Sequence, residues 1–308
     1  MLDQTCAMKS PDNHLSLATL ESRVTNALPR LPGVVTRLAA LNRYAVDYFD
    51  RVSALASVDP SFAAQLIRLA NSPLSAPMKP ITSIDTAIVR LGVNAVAGLV
   101  TTMAVMRVFV PTETAQQRMW VHSIEVAVGA RTIANAMPGL HDKTDTAYLA
   151  GLLHDIGRFI MFEQTPDLLR SVEQTLWDTP HALLLADIEL FQFTHSELGF
   201  LACKKWGFPR EILEVVRQHH RYFELNQSRL AKELEELLIV VQIADLLSNL
   251  LLHAGFARND TATQTHLIQE NCLHPEWGWL PFDERFLQES SITIREESLR
   301  LARDLGVA

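Results

Sequence analysis

What this chain has little of narrows it first. Three cysteines, Cys6, Cys203 and Cys272, are odd in number and show no CxxC spacing. They give no basis for a disulfide framework or a cysteine-zinc site and point to a reducing compartment. No apolar run reaches the ~20 residues that a bilayer span needs. The longest, AVAGLVTTMAVMRVFV at 95–110, carries two Thr and Arg107 and reads as a buried helix. The opening MLDQTCAMKSPDNHL has no positive segment followed by an apolar core, so no signal peptide, no membrane contact and a soluble, cytoplasmic protein are expected. Positive charge is also short, with 27 Lys and Arg against 35 Asp and Glu, a net −8. That deficit weighs against a broad nucleic-acid surface, because phosphate binding needs a dense basic patch. Internal repeats, low-complexity tracts and convincing period-two strands are missing too.

What is present is helical. The 308 residues are 48% hydrophobic and 20% charged, an ordinary globular balance long enough for a large core or two lobes. Residues 1–16 are polar and unpatterned, a loose tail. Asp59 and Pro60 supply a cap and a first-turn proline for DPSFAAQLIRLANS. TSIDTAIVRLG starts from Thr82 or Ser83 and stops at Gly92, and the apolar run follows at 93–110. PTET (111–114) marks a boundary. Helices are expected over 115–137, 145–163 and 166–177, punctuated by Pro138-Gly139 and Thr165-Pro166. THSELGFLACKKWGFP ends at Gly207, Pro209 opens REILEVVRQHH, and a long helix covers 230–252. The remainder holds an aromatic connector, HPEWGWLPF, and a charged helix at 291–304. The class expected is all-α. SIDTAIVRLGVNAVAGL has the form of a helix-turn-helix DNA reader, but Arg90 is its only basic residue, so packing explains it better. KELEEL (232–237) reads as a solvated face, and Trp277, Trp279 and Phe282 as a cluster fastening the C-terminal segment to the core.

The chemistry concentrates where polar residues interrupt apolar helices. GLLHDIGRF (151–159) sets His154 and Asp155 in a run that must be buried. An isolated buried carboxylate is costly unless it is paired or meets a cation. His154 and Asp155 either hydrogen-bond neighbouring helix ends or hold a metal. His141-Asp142 lies in the polar turn PGLHDKTD and reads as solvated loop. His122 within 115–137, His195 opening HSELGFL, His219 and His220 after REILEVVRQ, and Asp245 in VVQIADLLSNLLL occupy comparable apolar contexts. Each alone is more often structural. Imidazoles and carboxylates converging from several helices, however, make a transition-metal site in which a carboxylate can bridge two ions.

In that order the residues carry a resemblance. His122, His154-Asp155 and Asp245 match the H…HD…D signature of the HD superfamily of metal-dependent phosphohydrolases. His195 and His219/His220 resemble the additional ligands of its cyclic-di-GMP phosphodiesterase branch, the HD-GYP proteins. LPRLPGVVTRLAAL, VDPSFAAQLIRLANSPL, ITSIDTAIVRLGVNAVAGLV and HSELGFLACKKWGFPREILEVVRQHH resemble, over about 27–220, the HDOD domain of bacterial signalling proteins. The resemblance implies a loose tail at 1–16, an N-terminal helical lobe at 17–112 packed on an HD-like bundle at 113–255, and a helical extension at 256–308. It implies a signal-transduction output or adaptor working through protein contacts with other signalling proteins, with a homodimer and a nucleotide or cyclic-dinucleotide ligand as further expectations. HDOD domains typically lack a full ligand set, whereas this sequence keeps a candidate at every position. One or two divalent ions, iron or manganese, are therefore expected. His122, His154, Asp155 and Asp245 would hold one, and Asp155 would bridge to a second on His195 and His219 or His220. The alternative is a metal-dependent phosphodiesterase or phosphohydrolase acting on nucleotides or cyclic dinucleotides, with Asp155 and Arg158 at the reacting centre. Two departures favour holding metal over turnover. HHRYFELNQS has no GYP-type loop, and Arg158 stands where that branch has a Lys, although its fork can also bind phosphate.

Overall fold

Caps and glycines cut the chain into helices. The structure, a computed structural model, describes residues 16–24, 28–30, 32–42, 45–58, 60–71, 77, 80–165, 180–222, 230–252 and 255–307. In chain order these form α1 (Leu17–Val24), α2 (Gly33–Ala39), α3 (Tyr48–Ser57), α4 (Pro60–Ala70), α5 (Ile84–Leu91), α6 (Val93–Met106), α7 (Thr114–Ala136), α8 (Thr144–Leu153) and α9 (Ile156–Gln164). Then follow α10 (Pro180–Phe191), α11 (His195–Trp206), α12 (Arg210–Gln218), α13 (Lys232–Leu252), α14 (Thr261–Cys272) and α15 (Glu284–Leu305), with short 3₁₀ turns between some of them. No strand occurs among the described residues, so the chain is all-α. No single described helix is long and apolar enough to cross a membrane. The helix expected over 166–177, the cap at Asp59, most of the N-terminal tail and residues 223–229 lie outside the described residues.

The chain divides into two units, one drawn from Pro29–Val110 and Trp206–Pro209, the other from Met1–Leu28, Pro111–Lys205 and Arg210–Ala308. In the first unit, Ser83 accepts from the Thr86 backbone N–H and starts α5, and Gly92 at φ +89 turns the chain into α6. Asn71 ties the end of α4 to the next segment, since its side chain donates to the Ile67 and Ile81 carbonyls and accepts from the Ile81 N–H. Val96, Val100 and Ala104 of α6 are fully buried, so the apolar run packs into this unit's core.

The second unit is a bundle around α7 and α13. Glycines let the helices approach closely: a Cβ on Gly129 of α7 would stand 3.2 Å from the Cβ of Ala244 in α13. α8 is apolar around its whole circumference and buried throughout most of its length, as a core helix must be. Trp120 stacks at a tilt on Phe159, with centroids 4.7 Å apart. Asp260 and Asp283 cap α14 and α15, and Gly306 at φ +78 ends α15.

Three expectations change. Residues 145–163 are two helices, because the chain breaks at His154-Asp155 between α8 and α9. The C-terminal helix starts at Glu284, seven residues earlier than its charge pattern suggests, because Asp283 caps it there. KELEEL is exposed at Lys232 and Glu233, but Glu236 is buried. His141-Asp142 is an exposed turn, and Trp277 is buried while Trp279 stays 48% exposed.

Candidate metal centre

The break after Leu153 places the site. Gly151 lets α8 lie directly on α7, since a Cβ there would stand 2.8 Å from the Val126 carbonyl oxygen. Gly157 lets α9 lie on the start of α11, where a Cβ would stand only 1.9 Å from the His195 carbonyl oxygen. The first approach brings His154 to His122. The second brings Asp155 to His195.

All seven sequence candidates come together in two adjoining groups, His122, His154 and Asp245, and Asp155, His195, His219 and His220. In the first, His122 Nε2 lies 3.2 Å from His154 Nε2 and 3.2 Å from Asp245 Oδ1. In the second, His195 Nε2 lies 3.4 Å from His219 Nε2 and 3.0 Å from His220 Nε2. Asp155 faces both. Its Oδ1 is 3.1 Å from His195 Nε2 and 3.4 Å from His219 Nε2, and its Oδ2 is 3.8 Å from His154 Nε2 and 4.0 Å from His122 Nε2. Neighbouring donors bound at about 2.1 Å to one ion stand roughly 3.0–3.4 Å apart, so the shorter separations match ligand spacing.

The far side of each ring is already committed. His154 Nδ1 donates to the Gly151 carbonyl at 2.7 Å, and His219 Nδ1 to the Val216 carbonyl at 2.9 Å. His195 Nδ1 donates to Asp187 Oδ2 at 2.5 Å. Ser248 gives its proton to Glu125 at 2.8 Å and so accepts from His122 Nδ1 at 3.0 Å. Tyr222 gives its proton to Asp245 at 3.1 Å and accepts from His220 Nδ1 at 3.3 Å. With Nδ1 protonated in all five neutral rings, five Nε2 lone pairs converge at 3.0–3.4 Å, an arrangement that needs a cation. Asp155 Oδ1, buried and accepting no hydrogen bond among the described residues, points the same way. The donor set fits a pair of transition-metal ions.

Without an ion, protons do part of this work. Burial opposes charge on His195, but Asp187 and Asp155 outweigh it and push its pKa up to about 9. Burial likewise opposes charge on His122, where Asp245 and then Asp155 prevail and the pKa rises. Burial wins at His154, pushed down to about 4, and at His220, held well below the usual imidazole range. Burial resists ionisation of Asp155 and Asp245, yet the surrounding imidazoles hold both below the ordinary carboxylate range.

Six of the seven residues are at most 5% exposed, and only His220 is half-buried. Arg158 is also buried, and its Nη1 donates to Asp155 Oδ2 at 3.2 Å. Its guanidinium therefore steadies a ligand candidate. The sequence reading missed Asp187, Glu125, Ser248 and Tyr222. Asp187 carried the same signal as Asp245, an acid inside the apolar ALLLADIELF, while Glu125 and Ser248 each sit one turn beyond a ligand candidate.

Comparison with known proteins gives the following. The HDOD domain family model matches residues 28–222, ending before Asp245. An uncharacterized protein of Treponema pallidum (strain Nichols) is 25% identical over 207 residues, 66% of this chain and 39% of that one. The chain spans between about a fifth and two fifths of the length of the curated relatives it matches. Among solved structures, an HDOD domain protein of unknown function from Geobacter sulfurreducens has a TM-score of 0.68 at 26% identity, covering 92% of this chain and 97% of that one. A candidate phosphohydrolase from Shewanella amazonensis SB2B also has a TM-score of 0.68, at 22% identity over 96% and 100% of the two chains, a likeness of fold.

Proposed function

The chain belongs to the HDOD domain family, and we propose that it is a bacterial signalling output or adaptor protein that holds two divalent ions in a buried centre and acts through protein contacts. One observation carries the metal reading: five histidines fixed at Nδ1 turn their Nε2 atoms toward one another and toward both oxygens of Asp155. His122, His154 and Asp245 would hold one ion, and His195, His219 and His220 the other, with Asp155 shared between them. Mixed imidazole and carboxylate donors suit iron or manganese. Two such ions, when bound, supply Lewis acidity toward a phosphoester and toward water.

The chain's own residues favour holding over turnover. Arg158 braces Asp155 and lies 2% exposed, Tyr222 braces Asp245 and His220, and the remaining ligand candidates are sealed from solvent. The expected partners are other signalling proteins or a second copy of the chain. A second reading, a phosphodiesterase or phosphohydrolase acting on nucleotides or cyclic dinucleotides, draws on the half-buried His220 and Tyr222, through which the centre comes nearest the surface.

Metal analysis of the purified protein tests the centre. About two ions per chain, absent from a His154→Ala/Asp155→Ala double variant, are expected; metal-free wild-type protein would overturn the reading. Loaded with iron or manganese, the protein should leave cyclic dinucleotides and generic phosphoesters intact, and turnover of either would replace the adaptor reading with the enzymatic one.

A further inference from the structure

Glu125 plays no part in the proposed ligand set, yet it is a carboxylate with a side chain 0% exposed, one helical turn beyond His122 on α7. Two groups meet it. Ser248, one turn beyond Asp245 on α13, donates to Oε2 at 2.8 Å, and Arg295 of α15 pairs with Oε1 through Nη1. Arg131 and Glu297 make a second pair between α7 and α15. Arg295 and Ser248 both lie beyond the matched family region, which ends at 222.

We infer that Arg295, Glu125 and Ser248 form a positioning relay that sets the tautomer of His122 and so makes the affinity of the first ion depend on the C-terminal helix. The inference rests on the dinuclear reading. Glu125 can only accept at Oε2, so the Ser248 proton turns toward it. The Ser248 oxygen then presents a lone pair to His122 Nδ1, which must carry the ring proton. His122 Nε2 is left bare toward His154 and Asp245. Arg295 offsets the charge of Glu125 and fixes which oxygen faces Ser248. None of the three touches the second group, whose rings are held by Asp187, Val216 and Tyr222.

Glu125→Gln turns this logic around with almost no change in shape. Arg295 demands an acceptor, so the amide oxygen faces Arg295 and the amide N–H₂ faces Ser248. The hydroxyl proton is then driven toward His122 Nδ1, and the ring proton moves to Nε2, where the ion would bind. Competition titrations of manganese against a chelator should show one of two ions bound about 10–100-fold more weakly, the range for loss of an outer-shell partner, with the other unchanged. Arg295→Leu should act in the same direction, and Arg295→Lys should restore the wild-type titration. Ser248→Ala, which only removes the hydroxyl, serves as the second variant if Glu125→Gln does not fold. Wild-type affinity for both ions in Glu125→Gln and Ser248→Ala would overturn the relay, and so would equal weakening of both ions, the mark of a general structural effect. Failure of the dinuclear reading itself would appear earlier, as wild-type protein that takes up no manganese.

Discussion

Replacing Gly157 with alanine tests how the centre is assembled, because helix propensity and packing pull in opposite directions. As a helical residue, alanine should stabilise α9 by about 1 kcal/mol relative to glycine. The new Cβ, however, would stand 1.9 Å from the His195 carbonyl oxygen, where an ordinary contact starts at 3.4 Å. Backbone must therefore retreat by about 1.5 Å, the difference between the two, against a close-packed interior. Overpacking of this kind costs about 1–3 kcal/mol, which outweighs the propensity gain. His195 Nε2 now lies 3.1 Å from Asp155 Oδ1, and metal-ligand bonds tolerate shifts of only about 0.2 Å. The expected outcome is a lower melting temperature together with loss of the ion on His195, His219 and His220. Thermal unfolding and metal content by mass spectrometry read the two effects separately. A Gly157→Ala protein that keeps both ions and melts at or above the wild-type temperature would refute the claim that close backbone approach builds the second group.

Two further outcomes follow from the second group's electrostatics. His195 is raised from 6.5 to about 9, so the metal-free protein gains stability from its proton that is full below pH 6.5 and is lost as the pH climbs toward 9. His122, also raised, adds in the same direction. An ion entering the second group must displace the His195 proton, so its manganese affinity should rise up to about tenfold per pH unit as the pH climbs toward 9, while the metal-free protein loses stability. A pH-independent affinity, or no proton release in a weakly buffered titration, would contradict this. Asp187→Asn removes the charge that orients His195 and should weaken one ion about 10–100-fold without displacing any ligand candidate; unchanged manganese competition would show that Asp187 is only a structural partner.

The all-α class was legible because apolar spacing, prolines and glycines agree along the chain. The break at His154-Asp155 was not, because the apolar pattern runs through it with no proline or glycine between Leu153 and Ile156. Tertiary contacts impose it: Gly151 and Gly157 press their helices against α7 and α11, and the intervening pair turns to face both groups. The seven ligand candidates were legible from the order of histidines and acids, and the structure brings them together. Their supports were harder to read. Glu125 and Ser248 differ from ordinary surface residues only by burial, and Tyr222 and Arg295 meet the centre through contacts that no local pattern encodes.

His122, His154 and Asp245 are 1–3% exposed. On the proposed reading the second ion reaches toward solvent at the half-buried His220, whereas the first ion, held by these three, is enclosed while α7, α8 and α13 stay packed. Its departure would wait on local opening of the bundle, whose free energy can approach that of global unfolding for core helices. The first ion would then follow changes in the surrounding metal supply at the slow pace of that opening, and the second at a faster one.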